Sequence, residues 1–337
     1  MNRDDLVFKE VFDKKNWLDY LNQLPKSSPF SSWTWGEYKQ RVGWDVHRIS
    51  VWDKKKNSLF ACFQFQEQSK FGFVRIFLIQ GGIHLYKLSD NDYHELLESI
   101  MIKYVLEKKN VIILINHQSG SSQDIELGLL RSRFTPILNK NSYTYVLDSF
   151  NNAIKGEALS KNWSHNLKRA LNNTKLTYHW VVEPSERKLA FGYLEEFYAN
   201  LMSRKQFGTA INIDLSRDLI INNDEFKIIE ARLENKVVAV RIGLFCKDNV
   251  LDFLASSSEL AKNTYANYLL LFKLIELANL EGKSYFDCGG INPSENMGVF
   301  NFKKGLGGRM VVNGPIWLNA SGLLLKRIAK ILFSING

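Results

Sequence analysis

The chemistry-bearing stretch of this chain is "FDCGGINPSENMGVFNFKKGLGG", residues 286–308, which sets a carboxylate, glycine pairs and two adjacent lysines close together. Gly289 and Gly290 follow a strand-like run, and Gly305, Gly307 and Gly308 follow the lysines. Without Cβ atoms, such positions adopt positive φ or let backbone approach a ligand closely. A pair of tight turns is the plainer use of the same glycines. Acyl transfer from an ester or thioester to an amine builds negative charge on the carbonyl oxygen, and a fixed ammonium or N–H aimed there lowers the barrier. A lysine beside a glycine-flanked loop suits that task. Asp287 has two readings, a general base for the incoming ammonium or a brace for the glycine turn. Lys304 reads as a solvated lysine, because neighbours on a strand alternate in direction.

Other catalytic classes find no support in the residue spacing. None of the histidines (His47, His84, His94, His117, His165, His179) stands at HxxxH spacing or beside a serine nucleophile motif. Cys62, Cys246 and Cys288 are far apart with no CxxC, which disfavours a zinc site and a disulfide framework. No metal or resident cofactor is expected.

The elements that position these residues follow from periodicity. Residues 15–24 and 33–41 read as short helices, the second with Ser31 and Ser32 as capping candidates. "WDVHRISVWD", "SLFACFQFQEQ" and "FGFVRIFLIQGGIHL" read as strands, "DNDYHELLESIMIKYVLEKKN" as an amphipathic helix, and "VIILINHQ" and "SYTYVLD" as strands closing a first half. The second half repeats the grammar. Helices at "LSKNWSHNLKRALNNT" and "SERKLAFGYLEEFYANLMSRKQFG" precede three strands over 226–258, a helix "ANYLLLFKLIELANLEG" and a strand "SYFDCGG". An α+β fold of two tandem domains is expected, residues 1–150 and 151–337, each a mostly antiparallel sheet flanked by helices. The C-terminal "LLLKRIAKILFSI" places Leu324, Ile328, Ile331, Leu332 and Ile335 roughly on one side. It reads either as a helix packed on its own, second domain or as an interfacial helix drawn to an anionic bilayer.

At 337 residues and 45% hydrophobic content the chain supports a large buried core, and its net charge of +9 points to an anionic partner such as a nucleotide, RNA or acidic membrane surface. "MNRDDLVFKEVF" lacks the apolar run of a signal peptide, and no stretch is long enough to span a bilayer. A cytoplasmic protein, with at most peripheral contact at the inner face of the membrane, is the expectation.

Three anchors carry a family resemblance: "EGKSYFDCGG" with "GVFNFKKGLGG" and "RMVVNGPIW" over roughly residues 265–317, "PFSSWTWGEYKQRVGW" near the front, and "SYTYVLDSF" with "LSKNWSHNLKRA" between the halves. Together they resemble the FemAB family, non-ribosomal aminoacyltransferases that build the peptide cross-bridge of peptidoglycan on two tandem domains of the GNAT acyltransferase fold. The chain lacks the charged heptad hairpin of some members and is similar to the compact, FemX-like ones that act on soluble nucleotide-linked precursors. Ser164 and Leu306 depart from residues common in the family.

The resemblance implies that Phe302 and Lys303 lie beside the aminoacyl ester, with Lys303 stabilising the oxyanion or the terminal ribose of the tRNA. It implies that Trp35, Tyr38 and Lys39 line the acceptor cleft, with Lys39 on a pyrophosphate. Trp35 and Lys39 share a helix face at i, i+4. Arg204 is a candidate second phosphate contact, with Lys205 competing. Tyr265 stands where CoA-dependent GNAT enzymes carry a glycine of their pyrophosphate loop, and it would crowd a CoA pyrophosphate. The implied co-substrate is aminoacyl-tRNA rather than acyl-CoA, and the acceptor a UDP- or lipid-linked cell-wall or glycan precursor. N-acylation of an amino sugar in a surface polysaccharide precursor is the alternative.

Overall fold

Short polar side chains fix where most of the helices begin. Asp13, Ser32, Ser89, Ser122, Ser160, Asn212 and Asn296 each accept a hydrogen bond from the backbone N–H three residues on, satisfying a donor the first turn leaves open. The structure is a computed structural model that describes residues 3–25, 27–70, 72–117, 122–137, 142–148, 150–204 and 211–335.

In chain order the first elements are β1 (Leu6–Glu10), α1 (Lys14–Gln23), α2 (Trp33–Arg41), β2 (Asp45–Asp53), β3 (Ser58–Lys70), β4 (Val74–Gln80), β5 (His84–Leu85), α3 (Asp90–Ile100), β6 (Val111–Asn116), α4 (Gln123–Arg131) and β7 (Thr135–Ile137). There follow β8 (Ser142–Leu147), α5 (Phe150–Ile154), α6 (Lys161–Asn172), β9 (Leu176–Val181), α7 (Pro184–Arg204), α8 (Ile213–Ile221), β10 (Phe226–Leu233), β11 (Lys236–Phe245), β12 (Asn249–Ser257), α9 (Leu260–Thr264), α10 (Ala266–Leu280), β13 (Tyr285–Ile291), α11 (Met297–Lys304) and β14 (Arg309–Asn313). The chain ends with β15 (Ile316–Ala320) and α12 (Leu323–Ile335).

Two mixed sheets form the two compact units, so the expected α+β class holds. The first sheet runs β1-β2-β3-β4-β6-β15-β7, with β5 beside β3, and the second runs β14-β8-β13-β12-β11-β10-β9. Among the ladders described, pairing is antiparallel except for β4 with β6 and β12 with β13. Each parallel pair is joined by a crossover helix, α3 or α10, as a parallel connection requires. Helix α3 buries Tyr93, Leu96, Leu97 and Ile100 against Ile49, Phe63, Phe77 and Ile113 of the first sheet. Each such side chain contributes about 1.5–3 kcal/mol of burial. Helix α10 has buried residues on nearly every side, from Ala266 to Ala278, because the second sheet, α5 and α6 all pack on it.

The boundary expected at residue 150 moves. The first unit comprises the chain up to Ser142 together with everything from Val312, and the second is Tyr143–Val311. β8, read as closing the first half, pairs with β13 in the second sheet. "RMVVNGPIW" is two strands rather than one. Pro315 has no N–H to give, and after it β15 pairs with β6 and β7 of the first sheet. Helix α12, assigned to the second domain from sequence, therefore packs on the first.

It packs by a stripe other than the one expected. Leu325, Ala329 and Phe333, four residues apart, meet Ile76, Ile112, Leu114 and Leu318, while Leu324, Ile328, Ile331 and Leu332 are exposed. The side chain of Ile335 lies outside the described residues. No helix among the described residues is long and apolar enough to cross a membrane.

Candidate active site

The parallel pair of the second unit separates soon after it forms. β12 and β13 are in register over Asn249–Leu251 and Tyr285–Asp287 only, although β12 continues to Ser257 and β13 to Ile291. Beyond that point β13 keeps only its other neighbour, β8, through Gly290 with Thr144 and Ile291 with Tyr143. The two strands splay, and the groups that line the opening carry charge.

Gly289 stands at the fork with φ +78°, a conformation that a side chain makes costly. A Cβ there would lie 3.5 Å from both the Asp252 carbonyl of β12 and the Lys303 Nζ. Lys303 donates to the Gly290 carbonyl at 2.8 Å. Its ammonium is half-buried, and burial lowers its pKa below the usual lysine value, with Asp252 opposing that shift. Asp287 is buried and accepts from the Thr144 hydroxyl and, at 2.8 Å, from the Gly289 N–H; both bonds fall on Oδ1. Burial raises its pKa. The bracing role is therefore present, and Oδ2 is the carboxylate oxygen left to other partners.

Sequence reasoning missed two charges beside these. Arg241 of β11 and Asp252 of β12 form an ion pair at 2.7 Å with side chains 5% and 7% exposed. A bulge between Ile242 and Gly243 shifts the ladder so that Asp252 comes opposite Gly243. The Asp252 Oδ1 and Arg241 Nε are buried with no hydrogen-bond partner among the described residues. Buried polar atoms are seldom left so, and a site that receives a polar ligand is one reason for it. The signal was legible: "KVVAVRIGLF" and "NVLDFLASS" each place one charge inside an otherwise apolar run.

Helix α11 replaces the strand expected around Lys303. On a helix Lys303 and Lys304 still diverge, and Lys304 is exposed as expected, though by helical rather than strand geometry. Phe302 anchors α11 by packing. Its ring packs edge-on against Tyr268 at 4.9 Å and against Trp163 at 6.1 Å, its carbonyl accepts from the Trp163 indole at 3.0 Å, and the Arg241 guanidinium lies 5.8 Å from the ring. The glycines after the lysines serve packing: a Cβ on Gly307 would meet the Ala158 carbonyl at 2.0 Å, and one on Gly308 the Val146 carbonyl at 2.1 Å.

Tyr265 begins α10 with φ +59°, the left-handed conformation glycine takes most readily. Its hydroxyl accepts from Arg169 at 2.5 Å. The chain thus keeps the turn that a glycine would make and fills it with a ring.

In the first unit, α2 holds the other predicted group. Trp35 and Tyr38 are buried, and Trp35 donates its indole N–H to Gln80 at 3.2 Å. Lys39 lies over the Trp35 ring at 5.2 Å and the Trp44 ring at 5.5 Å, and burial lowers its pKa. A groove of about 500 Å³ lined by Trp33, Glu37, Gln40, Arg48 and Glu67 opens on another side of α2 and contains none of the predicted residues. Arg204 ends α7, but its side chain, like all of Lys205, lies outside the described residues. The structure thus gathers Asp287, Gly289, Gly290, Phe302 and Lys303 into one group, and Trp35, Tyr38 and Lys39 into another. Among the described residues no cluster of His, Cys, Asp and Glu could hold a metal ion, and no disulfide links the three buried cysteines.

Two sheets in succession, each with one parallel pair and its crossover helix, define a tandem GNAT fold. FemX has it: its crystal structure superposes with a TM-score of 0.79 at 12% identity, over 97% of this chain and 100% of that one. The C-terminal domain of a protein assigned as a lysylphosphatidylglycerol synthetase from Agrobacterium fabrum follows at 0.59 and 11%, over 95% of both chains. A tandem GNAT protein of the clavulanic acid biosynthesis pathway matches at 0.54 and 9%, over 94% of this chain and 99% of that one. No family profile and no curated protein matches by sequence. At these identities the likeness shows the fold, and it bears out the fold expected from the FemAB resemblance.

Proposed function

We propose that the chain is an aminoacyltransferase, moving an amino acid from aminoacyl-tRNA to an amine of a UDP- or lipid-linked cell-wall precursor. The observation that carries this reading is the ammonium of Lys303 held on the Gly290 carbonyl where β12 and β13 part, beside the buried Arg241–Asp252 pair. The likeness to FemX and to a synthetase named for a lysyl-lipid product supports aminoacyl transfer over other GNAT chemistry.

In this reaction the neutral acceptor amine attacks the ester carbonyl carbon, a C–N bond forms, and the carbonyl electron pair moves to oxygen. Lys303 stabilises that oxyanion, in a setting where surrounding water is reduced and the charge interaction is strong. Once the C–N bond forms, the attacking nitrogen carries one proton too many, and Asp287 Oδ2 takes it, its raised pKa suiting it to hold that proton briefly. The intermediate collapses by breaking the C–O bond to the tRNA ribose, whose oxygen leaves with the proton. In this reading Lys39 binds an acceptor phosphate, its ammonium lying over two indoles. Tyr265 fills the turn at which a CoA pyrophosphate would sit.

Incubation with charged tRNAs, acyl-CoAs, UDP-linked peptide precursors and amino sugars tests the proposal. Amide formation that consumes aminoacyl-tRNA supports it. Amide formation only from acyl-CoA, on an amino sugar, replaces it with the alternative N-acyltransferase.

A further inference from the structure

The fold consumes only part of the apolar surface of α12. Its inner stripe, Leu325, Ala329 and Phe333, covers the first sheet, yet Leu323 is 77% exposed, Leu324 74% and Ile331 59%, with Ile328 and Leu332 close behind. Spacings of three and four put Leu324, Ile328 and Ile331 on one continuous outer face. Arg327 and Lys330 border one edge of that face and are exposed. Lys326, beside them, donates to the Arg133 carbonyl, and the Arg133 guanidinium is also exposed. Lys326 has its pKa lowered chiefly by burial, then by the nearby charges of Arg133 and Lys330, so the cations are close enough to repel. Helix α12 carries no acidic residue, and no carboxylate is among the charges acting on Lys326.

We infer that α12 is an in-plane anchor for an anionic lipid surface, with Leu324, Ile328 and Ile331 entering the acyl boundary and Arg327, Lys330 and Arg133 among the headgroup phosphates. Apolar side chains bordered by cations with no acid between them match the chemistry of such a surface. A second copy of the chain is a poorer occupant, because pairing this face with itself opposes cation to cation. The inference is independent of the transfer reaction, since none of these residues belongs to the Lys303 group.

Co-sedimentation with vesicles is the test, using phosphatidylcholine alone and an equimolar mixture with phosphatidylglycerol. The intact chain binds the mixed vesicles, releases them as salt rises, and leaves phosphatidylcholine unbound. The Arg327→Gln/Lys330→Gln variant binds roughly 30-fold more weakly, from about 1 kcal/mol per basic residue. Leu324→Ser/Ile328→Ser/Ile331→Ser loses roughly 100-fold or more, while the chain stays folded with a cooperative melting transition, because none of the three side chains belongs to the buried core. Lys303→Ala binds vesicles like the parent chain. No binding by the parent, equal binding to both vesicle types, or undiminished binding by either α12 variant overturns the inference. So does a dimer that the serine variant disperses, with no vesicle binding by the parent.

Discussion

Gly307 and Gly290 lie in the same glycine-rich stretch and do different things. Gly307 has positive φ and no room, since a methyl group would run into the Ala158 carbonyl. Gly307→Ala is expected to lower stability by about 1–3 kcal/mol, read as a fall in denaturation midpoint. Gly290 has open space before its missing Cβ, with the Tyr143 carbonyl 3.9 Å away. Gly290→Ala is expected to fold within about 0.5 kcal/mol of the parent while slowing transfer, because its methyl is added on the residue whose carbonyl holds the Lys303 ammonium. A loss of stability equal to that of Gly307→Ala would make Gly290 one more packing glycine. The sequence shows all of these glycines alike. Only the neighbours brought by β8 and by the segment around Ala158 tell them apart.

At the scale of elements, the hairpin of β11 and β12, the helices α3 and α10 and the strand β13 were legible, because apolar period and turn residues agree there. Helix α11 was not. Its asparagine cap and short length sit between glycines and resemble a loop, and what fixes it is Trp163, distant in sequence. Strand β7, with Pro136 in its middle, forms only because β15 arrives from the far end of the chain to pair with it. The Arg241–Asp252 pair gives a prediction at this scale. Removing one partner, as in Arg241→Met, leaves a buried carboxylate alone and should cost about 3–5 kcal/mol. The double variant Arg241→Met/Asp252→Leu should recover most of that stability and none of the transfer activity. Recovery of both would show the pair to be a packing feature unconnected with the site.

For the whole molecule, the first unit is closed by residues from the C-terminal end. Trp317 and Leu318 are 4% and 0% exposed, and β15 is the strand between β6 and β7. A chain ending at Val311 is expected to lose protease resistance across the residues before 142 and to keep it over 143–311; resistance in both stretches would return β15 and α12 to the status of an appendage. The account as a whole turns on the charge of Lys303. Because burial lowers its pKa, the ammonium is lost as pH rises through a value below the ordinary lysine range, and the alkaline limb of the turnover rate should lie there. Single-turnover rates of aminoacyl transfer against pH measure this most directly. Lys303→Ala should be slower by roughly 100- to 1,000-fold with little change in acceptor affinity, and Lys303→Arg, if active, should move the alkaline limb upward. A Lys303→Ala enzyme with the parent's rate and the parent's alkaline limb would contradict the account.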